Sequence, residues 1–253
     1  MLKLISYDFT ALNRRTWLIY ALSLLLGMIV RFGGPAGLNQ LVWLYPSLAA
    51  VGVLGGIACV IGMFLFSWLE FKNRMFGKEA YLYQTFPVSF SKTAAAWFCA
   101  SFLNCILATG ICLLVIYLCT AQEMPYSMIA EQLSRHLNLK LGAFIAFAEM
   151  VMQLFCQLMY GYLGMIMGYK KPQSKLGWSI LWGLVFCILT TLLMVVILWI
   201  GVGPEFFAVN PDSAEESIHL IKTVFPLVLA IYIPVNLGLC ALGCWKMSQG
   251  IDL

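Results

Sequence analysis

The chain has 253 residues, of which 62% are hydrophobic and only 10% charged, and its formal net charge is +4. A water-soluble domain carries roughly a quarter charged residues. No soluble fold of this length could hide so much apolar surface, so lipid must be the solvent for most of the chain.

A helix needs about 20 apolar residues to cross a hydrocarbon layer of about 30 Å. Long apolar stretches at 16–30, 41–69, 93–119, 141–168, 176–202 and 224–245 predict an all-α integral membrane protein with six transmembrane helices. Trp17, Trp43, Trp68, Trp97, Trp178, Trp182, Trp199 and Trp245 all fall near the ends of these stretches, the level an amphipathic ring prefers. A barrel would instead show alternating segments of about ten residues.

In chain order, residues 1–15 come first, with Leu2, Ile5, Phe9 and Leu12 at helical spacing. They predict an amphipathic helix lying in the membrane interface. The first apolar stretch is read as a retained span, because Val30-Arg31-Phe32 follows it in place of a small-x-small cleavage pattern.

Residues 70–92 form the longest cytoplasmic connection, mixing Lys72, Arg74, Lys78 and Glu79 with Phe71, Phe76, Tyr81, Tyr83 and Phe86 before Pro87. Charges and aromatics in so short a space predict a helix resting on something at the membrane surface, either lipid or a soluble partner.

In the fourth span, Glu149, Gln153 and Gln157 stand at successive i, i+4 positions and share one helix face. Tyr160 and Gly161 continue it, and Gly164 and Gly168 offer close helix approach. A carboxylate at this depth costs several kcal/mol unless neutral, paired or wet. The three residues are therefore read as one wall of a transport route, with interhelical hydrogen bonding by a protonated Glu149 as the alternative.

Residues 203–223 predict an external segment that dips toward the membrane at Phe206-Phe207, followed by a helix capped by Ser213 with Glu216 in a capping box. Pro226 and Pro234 should bend the sixth helix. The nine cysteines all fall in the apolar stretches without a Cys-x-x-Cys pair, which favours small buried apolar residues over disulfides or metal ligands.

Basic residues fix the expected orientation. With the N-terminus inside, Lys3, Arg14, Arg15, Lys72, Arg74, Lys78, Lys92, Lys170, Lys171, Lys175 and Lys246 are cytoplasmic, against Arg31, Arg135, Lys140 and Lys222 outside. Both ends are thus expected in the cytoplasm. No phosphate-cradling loop is present, since Gly77-Lys78 is followed by Glu79, so any ATP hydrolysis must come from another chain. The cluster Glu215, Glu216 and His219 could suggest a metalloprotease, but the capping box accounts for both glutamates.

Gly77-Lys78-Glu79-Ala80-Tyr81-Leu82, then Thr85-Phe86-Pro87-Val88-Ser89 and Lys92, resembles a pattern in the type-2 family of ATP-binding-cassette (ABC) exporter permeases of Gram-positive bacteria. Ala80 stands where that pattern has glycine and Phe86 where it has leucine. The resemblance implies a permease subunit in a bacterial plasma membrane, paired with a second copy or a paralogue and resting on two cytoplasmic ABC ATPase subunits. Lys78, Glu79, Tyr81, Leu82, Phe86 and Pro87 would form the coupling helix. The chain itself would bind no cofactor and be no enzyme, with ATP and Mg on the partner ATPase and no nucleic-acid partner. Family members move amphipathic peptides, lipids or drugs, and an antimicrobial-type peptide is the preferred cargo here. The rivals are a proton-coupled secondary transporter using Glu149 and an intramembrane enzyme, against which the lack of a histidine at membrane depth argues.

Overall fold

The computed structural model describes residues 1–36, 44–77, 89–120, 139–170, 174–203 and 214–249. They form six helices: α1 (Leu2–Ala36), α2 (Leu44–Phe76), α3 (Phe90–Thr120), α4 (Leu139–Gly168), α5 (Lys175–Val202) and α6 (Ala214–Ser248). Each contains a stretch long and apolar enough to cross a bilayer. The chain is a multi-pass, all-helical membrane protein.

Helix ends fall where the local chemistry requires them. α5 stops at Gly203, whose φ of +88° is open to glycine and strained for other residues, and whose N–H returns to the Trp199 carbonyl at 3.1 Å. α3 starts at Ser89, whose carbonyl accepts the amides of Lys92 and Thr93 at 3.0 and 3.2 Å. α6 begins at Ala214, one residue past the expected cap, while Ser213 and the side chain of Glu216 lie outside the described residues. The helix is continuous through Pro226 and Pro234.

Two helices run further than the apolar stretches suggested. Residues 2–15 are the first turns of α1 itself, with no turn between them and the span. The 35 residues of α1 extend about 52 Å, well beyond a hydrocarbon layer of about 30 Å. α2 continues through Glu70, Lys72 and Arg74 to Phe76, because no helix breaker precedes Gly77. The connection to α3 is accordingly shorter than 70–92.

The helices fall into two compact units, one of Met1–Asn73 with Ala96–Ile129 and the other of Arg74–Ala95 with Ala130–Leu253. In the first, α1 turns a partly polar stripe inward: Asp8, Leu12, Thr16, Tyr20, Ser23 and Val30 are buried, whereas Leu2 is 83% exposed. Of the expected amphipathic pattern, Leu12 belongs to this inward stripe, Ile5 and Phe9 are half-buried and Leu2 faces outward. Lipid welcomes the leucines, and polar groups gain by facing protein.

Ser23 Oγ donates to the Gly55 carbonyl at 2.9 Å, and Tyr20 OH donates to Asn104 Oδ1 at 3.3 Å. Arg15 pairs with Glu70 at 3.2 Å. Gly52 lies against Cys119 and Gly56 against the Cys112 carbonyl, so α2 approaches α3 where it lacks side chains. Val30, Ala49, Val115 and Cys119 form an apolar cluster at one end.

Trp97 departs from the expected interfacial pattern. It is only 1% exposed and packs against Phe71, with centroids 6.1 Å apart. It serves as core, not as a headgroup anchor. The described residues include all nine cysteines and hold no disulfide, and Cys59, Cys105, Cys112, Cys119 and Cys156 are buried.

Candidate functional site: the polar face of the fourth helix

In the second unit, α4 packs against both α5 and α6. Its contact with α5 is built from small residues. A Cβ on Gly164 would meet the Ser179 carbonyl and lie 2.9 Å from the Gly183 nitrogen, and one on Gly168 would collide with Ser179. Gly164 and Gly168 on α4 thus face Ser179 and Gly183 on α5, each pair four residues apart, and the backbones come together. The close approach expected at both α4 glycines is present.

Against α6 the contact is polar. Asn236 Nδ2 donates to the Met152 carbonyl at 3.0 Å, and Cys240 Sγ lies 4.0 Å from Met159 Sδ. On α4 itself Cys156 Sγ donates to Tyr160 OH at 3.1 Å. Asn236 escaped the sequence reading. An amide two residues past a proline in an apolar stretch was the available signal, since such a group must find a partner in lipid.

Glu149 is half-buried, with Oε2 enclosed and lacking a hydrogen-bond partner among the described residues. Tyr232 of α6 lies within electrostatic reach of it. Gln153 and Gln157, one and two turns further on, are exposed. The stripe is therefore split: its glutamate turns toward the bundle and its two amides face outward.

Gly164 lies eleven residues past Gln153, about three helical turns, so both fall on nearly the same side of α4. α5 covers that side at Gly164 and leaves it uncovered at Gln157 and Gln153. The arrangement offers an acidic group and two amides along about 12 Å of helix, near the middle of a span.

At the other end of α4, Tyr169 stacks on Phe76, the last residue of α2, with centroids 4.4 Å apart and planes inclined by 23°. Lys175 lies 5.8 Å from the Tyr169 ring centroid, and Lys170 Nζ donates to the Lys246 carbonyl at 3.4 Å. The ends of α2, α4, α5 and α6 are tied together there. Lys78, Glu79, Tyr81, Leu82, Phe86 and Pro87, expected to form the coupling element, lie outside the described residues.

Comparison with protein-family models, characterised proteins and solved structures gives no match. The fold and the α4 face define a multi-pass membrane protein with a polar strip at the depth of the bilayer, and the reading of its task rests on the chain's own residues.

Proposed function

We propose that the chain is the membrane-spanning subunit of an ATP-driven exporter of the type-2 ABC permease kind, in a bacterial plasma membrane with both ends in the cytoplasm. The observation that carries this reading is the run Gly77-Lys78-Glu79-Ala80-Tyr81-Leu82 with Thr85-Phe86-Pro87-Val88-Ser89 between the second and third of six long apolar helices. Cytoplasmic ATPases would supply ATP and Mg chemistry, and this chain would convert their closure into helix movement.

The contacts at the helix ends support such a transmission. Phe76 precedes the run and stacks on Tyr169, so a pull on the connection reaches the end of α4, which carries Glu149, Gln153 and Gln157. These three are the proposed wall of the route for an amphipathic cargo, with an antimicrobial-type peptide preferred. The first four turns of α1, in excess of the hydrocarbon thickness, would lie at the cytoplasmic surface.

Affinity purification in mild detergent tests the reading. The chain should bring down an ABC ATPase, and Tyr81→Ala or Phe86→Ala should lose it while the membrane subunit stays folded. Retention of the ATPase and of transport by both variants and by Glu79→Lys would remove the coupling assignment. A proton-coupled transporter is the second reading, favoured by the enclosed Oε2 of Glu149. It requires uptake or efflux driven by a pH gradient without any ATPase, abolished in Glu149→Gln.

A further inference from the structure

Where α4 and α6 end and α5 begins, the second unit gathers positive charge that no described carboxylate of these helices offsets. Lys170, two residues past α4, donates its ammonium to the Lys246 carbonyl near the end of α6 at 3.4 Å, across 76 positions of the chain. Lys175 opens α5 and holds its Nζ 5.8 Å from the centroid of the Tyr169 ring, beside Lys170. Lys246 Nζ lies 4.3 Å from the centroid of its neighbour Trp245. Lysines from three helix ends thus share one corner, resting on rings and a carbonyl.

These contacts orient the lysines without neutralising them. α5 holds no acid, and those of α4 and α6 are Glu149, Glu215 and Glu216. Glu149 stands about 30 Å from Lys170 along α4, and Glu216 about 45 Å from Lys246 along α6. Charges in water are screened over about 8 Å at physiological salt, so these acids are too distant to matter. A solitary lysine at a helix end reaches water and needs no partner. Three held together repel one another, and a bound anion relieves that repulsion.

The surroundings decide which anion fits. Trp178, one turn into α5, and Trp245 on α6 are both exposed, and an exposed indole favours the headgroup level of a bilayer. From that level Leu176, Ile180, Leu184 and Ile188 form an exposed row along α5. The row runs about 18 Å, close to the ~15 Å of hydrocarbon in one leaflet. On α6 the exposed Leu237 and Ala241 lead to Trp245 in the same way. An acidic soluble protein would match the lysines and leave the apolar rows unused. A phospholipid uses both, with phosphate on the ammonium groups and acyl chains along the leucine and isoleucine row.

We infer that Lys170, Lys175 and Lys246, flanked by Trp178 and Trp245, form a binding site for the headgroup of an anionic phospholipid whose acyl chains lie along the outward face of α5. The site goes beyond the exporter reading and needs neither an ATPase nor a cargo. Because its lysines come from three helix ends, a bound headgroup ties α5 and α6 to the end of α4 and stabilises the folded unit.

Native mass spectrometry of the full chain in micelles tests the site with three probes. Dioleoyl phosphatidylglycerol carries both charge and chains, dioleoyl phosphatidylcholine has the same chains without net charge, and glycerol phosphate has the charge without chains. Phosphatidylglycerol should bind at least tenfold more tightly than either of the others. Each lysine near a membrane surface is worth about fivefold in affinity for anionic lipid. Lys175→Gln should therefore weaken phosphatidylglycerol binding about fivefold, and glutamine at all three positions about a hundredfold. Arginine at all three should retain it, as should the pair Lys140→Gln and Lys222→Gln at the far ends of α4 and α6. Single variants carry the same test if the triple glutamine variant fails to fold. Equal affinity for the two lipids, a preference that survives loss of the lysines, or one lost equally with Lys140 and Lys222 would overturn the proposal. Glycerol phosphate binding as tightly as phosphatidylglycerol would also overturn it and assign the corner to a soluble anion. So would an acidic protein captured by the wild type and lost from the triple glutamine variant while lipid preference stays unchanged, which would make the corner a docking site.

Discussion

Gly164 offers the sharpest test of how the second unit is held together. A methyl group added there would lie 2.9 Å from the Gly183 nitrogen and 3.1 Å from its Cα, and nearer still to the Ser179 carbonyl. These are backbone atoms and cannot rotate aside, so α5 must move away from α4. Overpacking of a tight contact costs about 1–3 kcal/mol, and replacing a helical glycine by alanine returns about 0.5–1 kcal/mol of conformational entropy. The expected net loss for Gly164→Ala is about 1–2 kcal/mol. Gly238 has nothing within 4 Å of an added Cβ, so Gly238→Ala should keep the entropy gain and be neutral or slightly stabilising. Reversible unfolding in mixed micelles by SDS titration, read by tryptophan fluorescence, compares the two. Equal stability of Gly164→Ala and wild type, or a loss for Gly238→Ala as large as for Gly164→Ala, would refute the close-packed α4–α5 contact.

Other contacts make further predictions. Asn236→Leu removes the donor to the Met152 carbonyl and should cost about 0.6 kcal/mol in the same titration, the average for hydrogen bonds between membrane helices, and no more than about 1.7 kcal/mol. In the Arg15–Glu70 pair the arginine side chain is 49% exposed and the glutamate 10%. Arg15→Gln deprives an enclosed carboxylate of a cation, whereas Glu70→Gln leaves an arginine that can reach water, so the arginine variant should be the less stable of the two. Phe76→Leu, which ends the stack on Tyr169, should cost about 0.5–1.5 kcal/mol and, under the proposed exporter function, slow transport more than it weakens ATPase capture. Cysteines introduced at Lys175 and Thr223 should label with an impermeant maleimide only after permeabilisation for the first and without it for the second. The reverse pattern would invert the proposed orientation.

The sequence by itself determined the solvent and the number of spans. An apolar stretch of twenty or more residues has no alternative in water, and backbone groups in lipid must be satisfied within a helix. The bounds of α4 and α5 differ from the apolar stretches by only a residue or two, because glycine and lysine mark their ends. It also placed Glu149, Gln153 and Gln157 on one stripe, since helical spacing follows from period alone. What it could not assign was which way each helix faces. Composition supplies little direction to a helix that is apolar almost all round, as in α5, and in α1 the fold buries Asp8 and Thr16 beside Leu12 of the visible amphipathic pattern while Leu2 faces outward. Facing is decided by where two backbones can approach, at Gly164 and Gly168 against Ser179 and Gly183, and by which scattered polar groups reach one another, as Tyr20 reaches Asn104 and Asn236 reaches α4. The two polar pairs each lie 84 positions apart in the chain, so only the tertiary structure brings them together, and only it separates the enclosed Glu149 from the outward-facing glutamines.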